Sequence, residues 1–542
     1  MDGLLLNKPG EKVILLGNEA IVRGALEEGV NFVSTYPGTP ASEIGNTFFK
    51  IAKEAGVYFE FSTNEKVALE AGIGASFSGL KTLVAMKNFG LNVALDALLP
   101  FAYTGTKGPT VIIVADDPSC HSSAQSEENS RFVAEAAHIP VLEPADPQEC
   151  KDFVKLAFQI SEKFNIPVII RTTTRVAHQK IPVVFGEIKT SKDNVQKGKF
   201  VKDVKRFVTL PPRVLEMKNE LLDKIETIRE VSESRLKLES SNQKAGIITS
   251  GISYLYTMEA LEELNIALPV LKLDFFYPLA EKKIKDFIGK LEKVLIVEEL
   301  EPYLEKEVAR LAKEVNCNLE VMGKELLPIT GELRPEIVTQ ALAKFANLKQ
   351  EAQYNKLNIP VPKRSPQLCP GCPYWLVVSA IKKAVDVNEV IFGGEIGCYM
   401  LFGNSPVNLQ DYLSCMGSSV GIAHGIKKAT GQKLITFVGD SSFFHAGIPA
   451  LINAVNNRSN PLVIILDNQT TAMTGHQPHP GAPVVPNGIK IENIVQACGV
   501  KNLKVIDPIN QEEFIKTIKE FLEKPDVSVI ISRRPCKFVV KK

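Results

Sequence analysis

Two polar motifs late in the sequence follow apolar runs that are typical of buried strands. Gly439-Asp440-Ser441 comes after KLITFV, and Asn468 comes after PLVIILD, 28 residues beyond Asp440. Because the carboxyl ends of neighbouring parallel strands meet at one sheet edge, we expect Asp440 and Asn468 to lie close together. Their oxygens suit Mg²⁺, and the small flanking residues let a diphosphate approach the next helix. Gly-Asp and Asp-Asn are also common turn dipeptides, so the spacing of the pair favours a metal site more than either motif alone.

This arrangement resembles the thiamine diphosphate-binding motif. The resemblance implies that Asp440 and Asn468 bind Mg²⁺ through their side chains and Thr470 through its carbonyl oxygen. It also implies contacts with the cofactor from both motifs and the loop that follows: Gly439, Asp440, Ser441, Asn468, Thr470, Met473 and Thr474.

A carboxyl group is also needed at N1′ of the aminopyrimidine of such a cofactor, so that the ring can act as a base. Glu65 is the candidate, because it follows the strand-like run VYFEFST and opens a helix rich in small residues. The alternative is a carboxylate that only complements the positive end of that helix dipole.

One pair among the nine cysteines is closely spaced, Cys369 and Cys372 in LCPGCP. Two thiolates on a tight turn could bind Zn²⁺, carry out dithiol chemistry or hold an iron–sulfur cluster. A zinc site would need a second close pair, and a redox CxxC usually opens a helix of a thioredoxin-like unit. Neither feature is recognisable in the sequence.

Several motifs together resemble those of 2-oxoacid:ferredoxin oxidoreductases. They are Tyr36-Pro-Gly-Thr-Pro40, the Glu65 segment, Ala115-Asp-Asp-Pro118 with His121, Cys369-Pro-Gly-Cys372, Gly394-Glu-Ile-Gly-Cys398, Gly439 to His445, and Ala472 to Gln477. Their order, with the pyrimidine part first and the diphosphate part last, is similar to that of the alpha subunits of the indolepyruvate type. The resemblance covers nearly the whole chain.

The resemblance implies roles for further residues. Glu65 would be the N1′ partner, and Thr39 would lie near the substrate carboxylate, although it could also be an ordinary residue at the start of a helix. His121 would be a polar group near the reacting centre, as would His445 and His476. A [4Fe-4S] cluster would be held by four cysteines: Cys369, Cys372, Cys398 and Cys536.

The resemblance also implies the reaction and the partners. An oxygen-sensitive enzyme would oxidatively decarboxylate an aryl 2-oxoacid, such as indolepyruvate or phenylpyruvate, to the aryl-acetyl-CoA. A cluster would pass the electrons one at a time to ferredoxin or another acceptor. The assembly would be α2β2, with a smaller beta subunit. No C-x2-C-x2-C-x3-C-P run occurs in the sequence, so we expect a form without the ferredoxin-like segment of the family, with the electron exit on another subunit or protein.

Two other functions fit some of these residues. A non-oxidative thiamine diphosphate-dependent decarboxylase would release an aldehyde and need no iron, but it would leave the four cysteines unexplained. A non-catalytic binding subunit would bind no thiamine diphosphate, and the combination of Glu65, Asp440 and Asn468 argues against it.

Composition narrows the class of protein. The 63 basic and 62 acidic residues give a net charge of +1, which does not favour nucleic acid as a partner. No apolar run has the length of a membrane span, and the start MDGLLLNKPGEKVILLG has no basic segment or cleavage site. We therefore expect a cytoplasmic protein.

Alternation of strand-like and helix-like runs predicts an α/β fold with several doubly wound parallel-sheet domains of the thiamine diphosphate-binding type. Five segments are expected: a pyrimidine-binding domain over 1–190, a linker with a bridging helix over 191–244, a transketolase C-terminal-like α/β domain over 245–345, a linker over 346–367, and a diphosphate-binding domain with the cluster cysteines over 368–542.

Overall fold

A computed structural model describes residues 2–189, 195–236, 243–348, 362 and 365–539. The chain forms two compact units, residues 1–357 and 358–542, here named unit 1 and unit 2. Both are built on largely parallel sheets with helices between the strands, which confirms the predicted α/β class. Among the residues described, no helix is long and apolar enough to cross a membrane.

Unit 1 contains thirteen strands and thirteen helices within the described ranges. The strands are β1 (Lys12–Leu16), β2 (Phe32–Thr35), β3 (Tyr58–Phe61), β4 (Thr82–Lys87), β5 (Thr110–Asp116), β6 (Val141–Leu142), β7 (Val168–Thr173), β8 (Lys180–Val184), β9 (Ala245–Ser250), β10 (Val270–Leu273), β11 (Phe275–Tyr277), β12 (Lys293–Val297) and β13 (Glu320–Met322). The helices are α1 (Gly17–Glu27), α2 (Ser42–Ile51), α3 (Glu65–Phe77), α4 (Asn88–Thr104), α5 (Ser130–Ala136), α6 (Pro147–Phe164), α7 (Thr174–His178), α8 (Val204–Phe207), α9 (Arg213–Arg235), α10 (Ile252–Glu263), α11 (Glu281–Ile288), α12 (Leu304–Val315) and α13 (Pro335–Phe345).

The strands of unit 1 form a seven-stranded sheet in the order β11-β6-β7-β5-β4-β2-β3, a four-stranded parallel sheet β10-β9-β12-β13, and an antiparallel pair β1-β8. In the larger sheet only β11 runs antiparallel to its neighbour among the described strands. β5 and β7 are wholly buried, which explains why both are nearly continuous apolar runs rather than alternating ones.

The sheets of unit 1 do not follow the predicted segments. β11 belongs to the segment expected as a separate domain over 245–345, yet it pairs with β6 of the seven-stranded sheet. Within the first predicted linker, helix α9 buries Met217, Leu221, Ile225 and Ile228. Residues 191–194 and 237–242 of the first predicted linker, and most of the second linker, lie outside the described residues.

Unit 2 is built on one six-stranded parallel sheet in the order β15-β14-β16-β17-β19-β18. The strands are β14 (Ile391–Gly394), β15 (Tyr412–Leu413), β16 (Leu434–Gly439), β17 (Leu462–Asp467), β18 (Asn502–Ile506) and β19 (Ser528–Arg533). The helices are α14 (Tyr374–Ala384), α15 (Ser419–Thr430), α16 (Asp440–Ser442) continuing through a π turn (Phe443–Gly447), α17 (Ile448–Asn456), α18 (Ile491–Ala497) and α19 (Gln511–Leu522).

Successive residues of the central strands of unit 2 enter two different cores. Phe437 and Ile464 belong to one buried apolar cluster, whereas Val438 and Ile465 belong to the other. Side chains of a strand alternate between the two faces of its sheet, so both faces of this sheet are covered. Packing on both faces of the sheet fixes the positions of the carboxyl ends of β16 and β17, where the predicted metal motif begins.

Candidate cofactor site

The ends of β16 and β17 bring Asp440 and Asn468 together in unit 2. Gly439 and Leu466 are paired in register, so the two loops leave the sheet side by side. Asp440 is 3% exposed, and its Oδ2 accepts a hydrogen bond of 2.7 Å from the backbone N–H of Gln469, next to Asn468. The expected proximity of the two motifs is therefore present in the structure.

His479, which the sequence analysis did not single out, lies against the same carboxylate. Its Nε2 is 3.1 Å from Asp440 Oδ2, and both side chains are buried. Its Nδ1 accepts a hydrogen bond from the backbone N–H of Gly481, while Nε2 has no hydrogen-bond partner among the described residues. The ring also packs against Phe444. The feature of the sequence that could have indicated His479 is a second histidine in the Pro-rich segment HQPHPG.

A second carboxylate, Asp467, makes the ends of these strands electronegative. Burial raises its pKa, and the charge of Asp440 raises it further, against a stabilising contact with Arg533. Arg533 Nε donates to Asp467 Oδ2 at 2.6 Å, while Asp467 Oδ1 has no hydrogen-bond partner among the described residues. A cation bound here would offset the repulsion between the two carboxylates.

The donor set at these strand ends fits Mg²⁺ held together with ligand phosphates. Throughout the described ranges, no three His, Cys, Asp or Glu side chains converge on one metal position. The predicted set does not require such a group, because it consists of one carboxylate, one amide and one backbone carbonyl. Mg²⁺ is usually bound by one or two protein carboxylates, with substrate phosphates and water completing the shell.

The loop after Asn468 is folded back on itself by short hydrogen bonds. Asn468 Oδ1 accepts from the backbone N–H of Thr470 at 3.1 Å. Thr474 Oγ1 donates to Gln477 Oε1, and Gln477 Nε2 donates to the Thr474 carbonyl, both at 2.7 Å. Met473, at the tip, is 48% exposed. The predicted contact residues of this loop are thus carried on a closed turn.

The start of the following helix is irregular. The Ser441 backbone N–H donates to Asp440 Oδ1 at 2.8 Å, and the Ser441 hydroxyl is 3.0 Å from that of Thr471. The next turn is a π turn that contains buried His445. Turns of this kind are rare and often occur at functional sites.

Glu395 is a further buried carboxyl group that supports this region. It is 0% exposed; Tyr399 Oη donates to it, and the backbone N–H of Gly417 donates to its Oε2 at 2.7 Å. Tyr399 Oη also accepts from the backbone N–H of Gly439 at 2.8 Å. Burial raises the pKa of Glu395 to about 7 despite these bonds. The sequence analysis includes Glu395 in the Gly394–Cys398 motif but gives it no role, although a charged residue directly after a strand is a recognisable signal.

The four cysteines predicted to hold a cluster line one cavity of about 250 Å³ in unit 2. The wall is otherwise mostly apolar and also includes Asn468, Met473 and His476. The backbone N–H of Cys372 donates to the Cys369 carbonyl at 3.0 Å, and that of Cys536 donates to the Asn468 carbonyl at 3.0 Å. The cavity therefore shares Asn468 with the predicted metal motif.

Two thiols of this cavity, those of Cys372 and Cys398, resist ionisation. Burial, and then the neighbouring cysteines, raise the pKa of Cys372 to about 11 and that of Cys398 to about 12. All nine cysteines of the chain are free thiols. Thiolates become stable in such a setting when bound metal neutralises them. The four thiols and the mostly apolar wall fit an iron–sulfur cluster, which Cys369, Cys372, Cys398 and Cys536 would hold through their sulfurs.

In unit 1, the residues from Lys87 to Gly90 contact three of the motif segments. A Cβ on Gly38, in the Tyr36–Pro40 loop, would lie 2.9 Å from Lys87 Cβ, and one on Gly90 would lie 2.6 Å from Glu65 Cγ. Lys87 Nζ donates to the carbonyl of Ser122 at 3.1 Å. Burial lowers the pKa of Lys87, although nearby acids that include Glu65 oppose the shift.

The sequence-predicted residues of unit 1 lie at different places. Glu65 is buried at the first position of α3, whose N-cap Asn64 accepts from the backbone N–H of Val67. Thr39 is half-buried in its loop. His121 is 52% exposed and lies 3.5 Å from Glu332, which Arg175 also binds. The structure thus pairs His121 with Glu332.

Comparison with known families and relatives agrees with these features. Residues 23–236 match the family described as pyruvate flavodoxin/ferredoxin oxidoreductase, thiamine diphosphate-binding. Residues 395–532 match the thiamine pyrophosphate enzyme, C-terminal TPP binding domain. The second range contains both motifs of the strand ends. Thiamine diphosphate is therefore the cofactor of this class of domain.

Two relatives match almost the whole chain. The indolepyruvate oxidoreductase subunit IorA of Methanothermobacter thermautotrophicus is 43% identical over 99% of this chain and 88% of its own length. That of Pyrococcus horikoshii is 43% identical over 99% of this chain and 87% of its own length.

Among solved structures, the 2-oxoglutarate:ferredoxin oxidoreductase from Magnetococcus marinus has a TM-score of 0.51 at 18% identity, covering 62% of this chain and 65% of that one. This likeness shows the fold alone. The sequence matches show the family, and with it the predicted resemblance is confirmed: the chain belongs to the indolepyruvate oxidoreductase subunit IorA family of the thiamine diphosphate-dependent 2-oxoacid:ferredoxin oxidoreductases.

Proposed function

We propose that this chain is the large, cofactor-binding subunit of an enzyme that oxidatively decarboxylates aryl pyruvates to aryl-acetyl-CoA. Indolepyruvate and phenylpyruvate are the proposed substrates. The names of the relatives support the indole substrate. The four cysteines around one cavity support the oxidative course, because a non-oxidative decarboxylase has no use for an electron acceptor.

The observation that carries the proposal is the position of that cavity. Asn468, a predicted Mg²⁺ ligand, lines the cavity and accepts a backbone hydrogen bond from Cys536. Bound thiamine diphosphate supplies a nucleophilic carbon for the 2-oxo group, and a bound [4Fe-4S] cluster supplies a one-electron acceptor. A cluster held in this cavity would lie next to the metal motif, because Asn468 belongs to both.

In unit 2, the proposed roles follow from the strand ends. Asp440 and Asn468 would hold Mg²⁺ through their side chains and Thr470 through its carbonyl oxygen. Gly439 and Ser441 would let the diphosphate approach, and Met473 and Thr474 would contact the cofactor from the loop. Cys369, Cys372, Cys398 and Cys536 would hold the cluster.

In unit 1, Glu65 would hydrogen-bond N1′ of the aminopyrimidine. Its burial at the start of α3 supports that role, because a dry carboxyl group exchanges a proton with a ring nitrogen more readily than a solvated one. Thr39 and Lys87 would orient the substrate carboxylate. Burial lowers the pKa of Lys87, while its acidic neighbours, including Glu65, favour the charged form. His121 would act as a polar group near the reacting centre.

The organisation of the assembly is part of the proposal. Residues 1–190 would bind the pyrimidine half of the cofactor, 368–542 the diphosphate half, and 245–345 would form the transketolase C-terminal-like domain. A smaller beta subunit in an α2β2 assembly, and a ferredoxin or similar electron carrier, would complete the enzyme. Its place of action would be the cytoplasm.

Substrate comparison tests this function. Anaerobic enzyme, co-expressed with its partner subunit, would be assayed for CoA-thioester formation and reduction of a one-electron dye. We expect kcat/KM for indolepyruvate and phenylpyruvate to exceed that for 2-oxoglutarate and pyruvate by at least about 100-fold, or about 3 kcal/mol. Preference for 2-oxoglutarate would contradict the substrate class. Aldehyde release without dye reduction would indicate the non-oxidative decarboxylase.

A further inference from the structure

The side chain of His476 lies against the sulfur of Cys536 in the wall of the cysteine-lined cavity. Its Nε2 is 3.7 Å from Cys536 Sγ, within the range of a hydrogen bond to sulfur. Both residues line the cavity together with the other three cysteines. Nothing in the diphosphate motif requires a histidine at this place, so the contact with sulfur needs its own account.

The turn that carries His476 is built to hold the ring there. His476 has a φ of 63°, in the left-handed region that residues other than glycine rarely adopt. On either side, Thr474 and Gln477 are joined by two hydrogen bonds of 2.7 Å between their side chains and backbone. Thr471 also pairs with Gln477 across the loop.

A second contact sets the orientation of the ring. Phe538 packs edge-on against it, with 6.0 Å between the ring centroids. Cys536 is itself fixed by its backbone hydrogen bond to Asn468. The imidazole therefore lies between the ring of Phe538 and the sulfur of Cys536.

We propose that His476 donates its Nε2–H to the sulfur of Cys536 when that sulfur ligates the iron–sulfur cluster, and thereby raises the reduction potential of the cluster. This inference rests on the proposed function. Reduction adds negative charge to the cluster and its ligand sulfurs, and an N–H dipole aimed at a sulfur stabilises that added charge. His476 itself is exposed to solvent, whereas the wall of the cavity that it lines is mostly apolar.

The direction of the effect suits the reaction. A cluster that removes electrons from a decarboxylated 2-oxoacid must accept each one readily before passing it on. His476 would favour acceptance without contacting the substrate. It is thus a positioning residue, not a catalytic one.

The test compares variants of the co-expressed, anaerobically purified enzyme by an EPR-monitored redox titration, with iron and sulfide measured on each sample. His476→Leu removes the donor, and His476→Phe removes it while keeping a flat ring against Phe538. His476→Gln keeps an N–H donor. His424→Leu is the matched control, because His424 is in the same unit but does not line the cavity.

We expect all four variants to keep about four irons per chain. At the wild-type midpoint, H476L and H476F should show about a tenfold lower ratio of reduced to oxidised cluster, a shift of about 59 mV for one electron. H476Q should recover at least half of that shift, and H424L should match the wild type.

Each alternative result contradicts a specific part of the proposal. Full iron with an unchanged midpoint in both H476L and H476F would overturn the donor role and leave the proposed function intact. Iron loss in both variants would make His476 a ligand or a structural residue, which also overturns it. Wild-type enzyme free of iron would overturn the proposed function itself, and this inference with it.

Discussion

At the scale of single residues, two buried carboxylates, those of Asp440 and Asp467, lie at the strand ends of unit 2. Burying two negative charges near each other lowers the stability of the fold. Burial raises the pKa of Asp467, and repulsion by Asp440 raises it further, against the effect of Arg533, which donates a hydrogen bond to Asp467. Unfavourable charge of this kind persists where a ligand cation compensates it. We therefore propose that bound Mg²⁺, rather than stability, accounts for this arrangement.

Replacing Asp440 tests this explanation. Asp440→Asn removes a negative charge and the strongest predicted Mg²⁺ ligand, so affinity for thiamine diphosphate with Mg²⁺ should fall by about 10- to 100-fold. Titration calorimetry on the co-expressed enzyme measures the change. Asp526→Asn, an exposed carboxylate paired with Lys501, serves as the matched control. Equal cofactor affinity in D440N and the wild type would exclude Asp440 as a ligand.

Replacing Lys87 tests the proposed carboxylate contact in unit 1. Lys87→Met should raise KM for the 2-oxoacid by at least about tenfold, or about 1.4 kcal/mol, because a buried cation for the carboxylate is lost. Thiamine diphosphate affinity should stay the same, and Lys87→Arg should restore most of the loss. A K87M enzyme with normal KM, or one that loses cofactor instead, would count against the role.

At the scale of elements, the end of β16 depends on a close approach that only glycine permits. A Cβ on Gly439 would lie 2.9 Å from a ring carbon of Tyr399, which hydrogen-bonds the Gly439 backbone and buried Glu395. The strand end, the tyrosine and the carboxyl group thus form one support under the diphosphate motif. Its parts come from the end of β16 and from the segment that follows the neighbouring strand β14.

Gly439→Ala should disturb that support. The added methyl must displace the Tyr399 ring, which costs about 1–3 kcal/mol, so both the unfolding temperature and the affinity for thiamine diphosphate should fall. Gly425→Ala on α15 is the control, because open space surrounds its Cβ, and it should stabilise the helix by about 0.5–1 kcal/mol. If G439A and G425A behaved alike, Tyr399 would not be the constraint.

The same elements show what the sequence could and could not predict. β16 and β17 are recognisable because each is an apolar run ending in a polar motif, and this pattern was enough to place Asp440 near Asn468. The contact between Tyr399 and Gly439 was not predictable, because it joins residues 40 positions apart through side-chain packing. β11 was not predicted for a related reason: its three residues are too few to show the pattern that marks a strand or to indicate which sheet it joins.

At the scale of the whole molecule, unit 1 contains a buried charge cluster that should make its stability depend on pH. Glu299 is wholly buried near Arg131 and Arg171, and burial raises its pKa to about 7 despite the arginines and a hydrogen bond from the Leu333 backbone. The folded protein therefore holds this proton more tightly than the unfolded chain does. Glu299 therefore stabilises the folded state fully below the pKa of about 4.3 that it has in the unfolded chain. This stabilisation is lost as pH rises through 7.

Glu299→Gln removes that dependence. Between pH 5 and 8, the stability of the variant relative to the wild type should rise by up to about 3 kcal/mol, because glutamine has no buried charge to form. Thermal unfolding at a series of pH values, followed by circular dichroism, measures the difference. A difference that does not change with pH would show that Glu299 titrates normally.

We propose that a redox cluster accompanies the thiamine diphosphate motif in this chain. Iron and acid-labile sulfide analysis of anaerobically purified, co-expressed enzyme, with EPR spectra before and after addition of an aryl pyruvate, is the decisive measurement. We expect about four irons and four sulfides per chain in addition to any on the partner, with a reduced-cluster signal appearing on substrate addition. We also expect Cys398→Ser to abolish both. Iron-free protein that binds thiamine diphosphate and consumes the substrate would contradict this proposal.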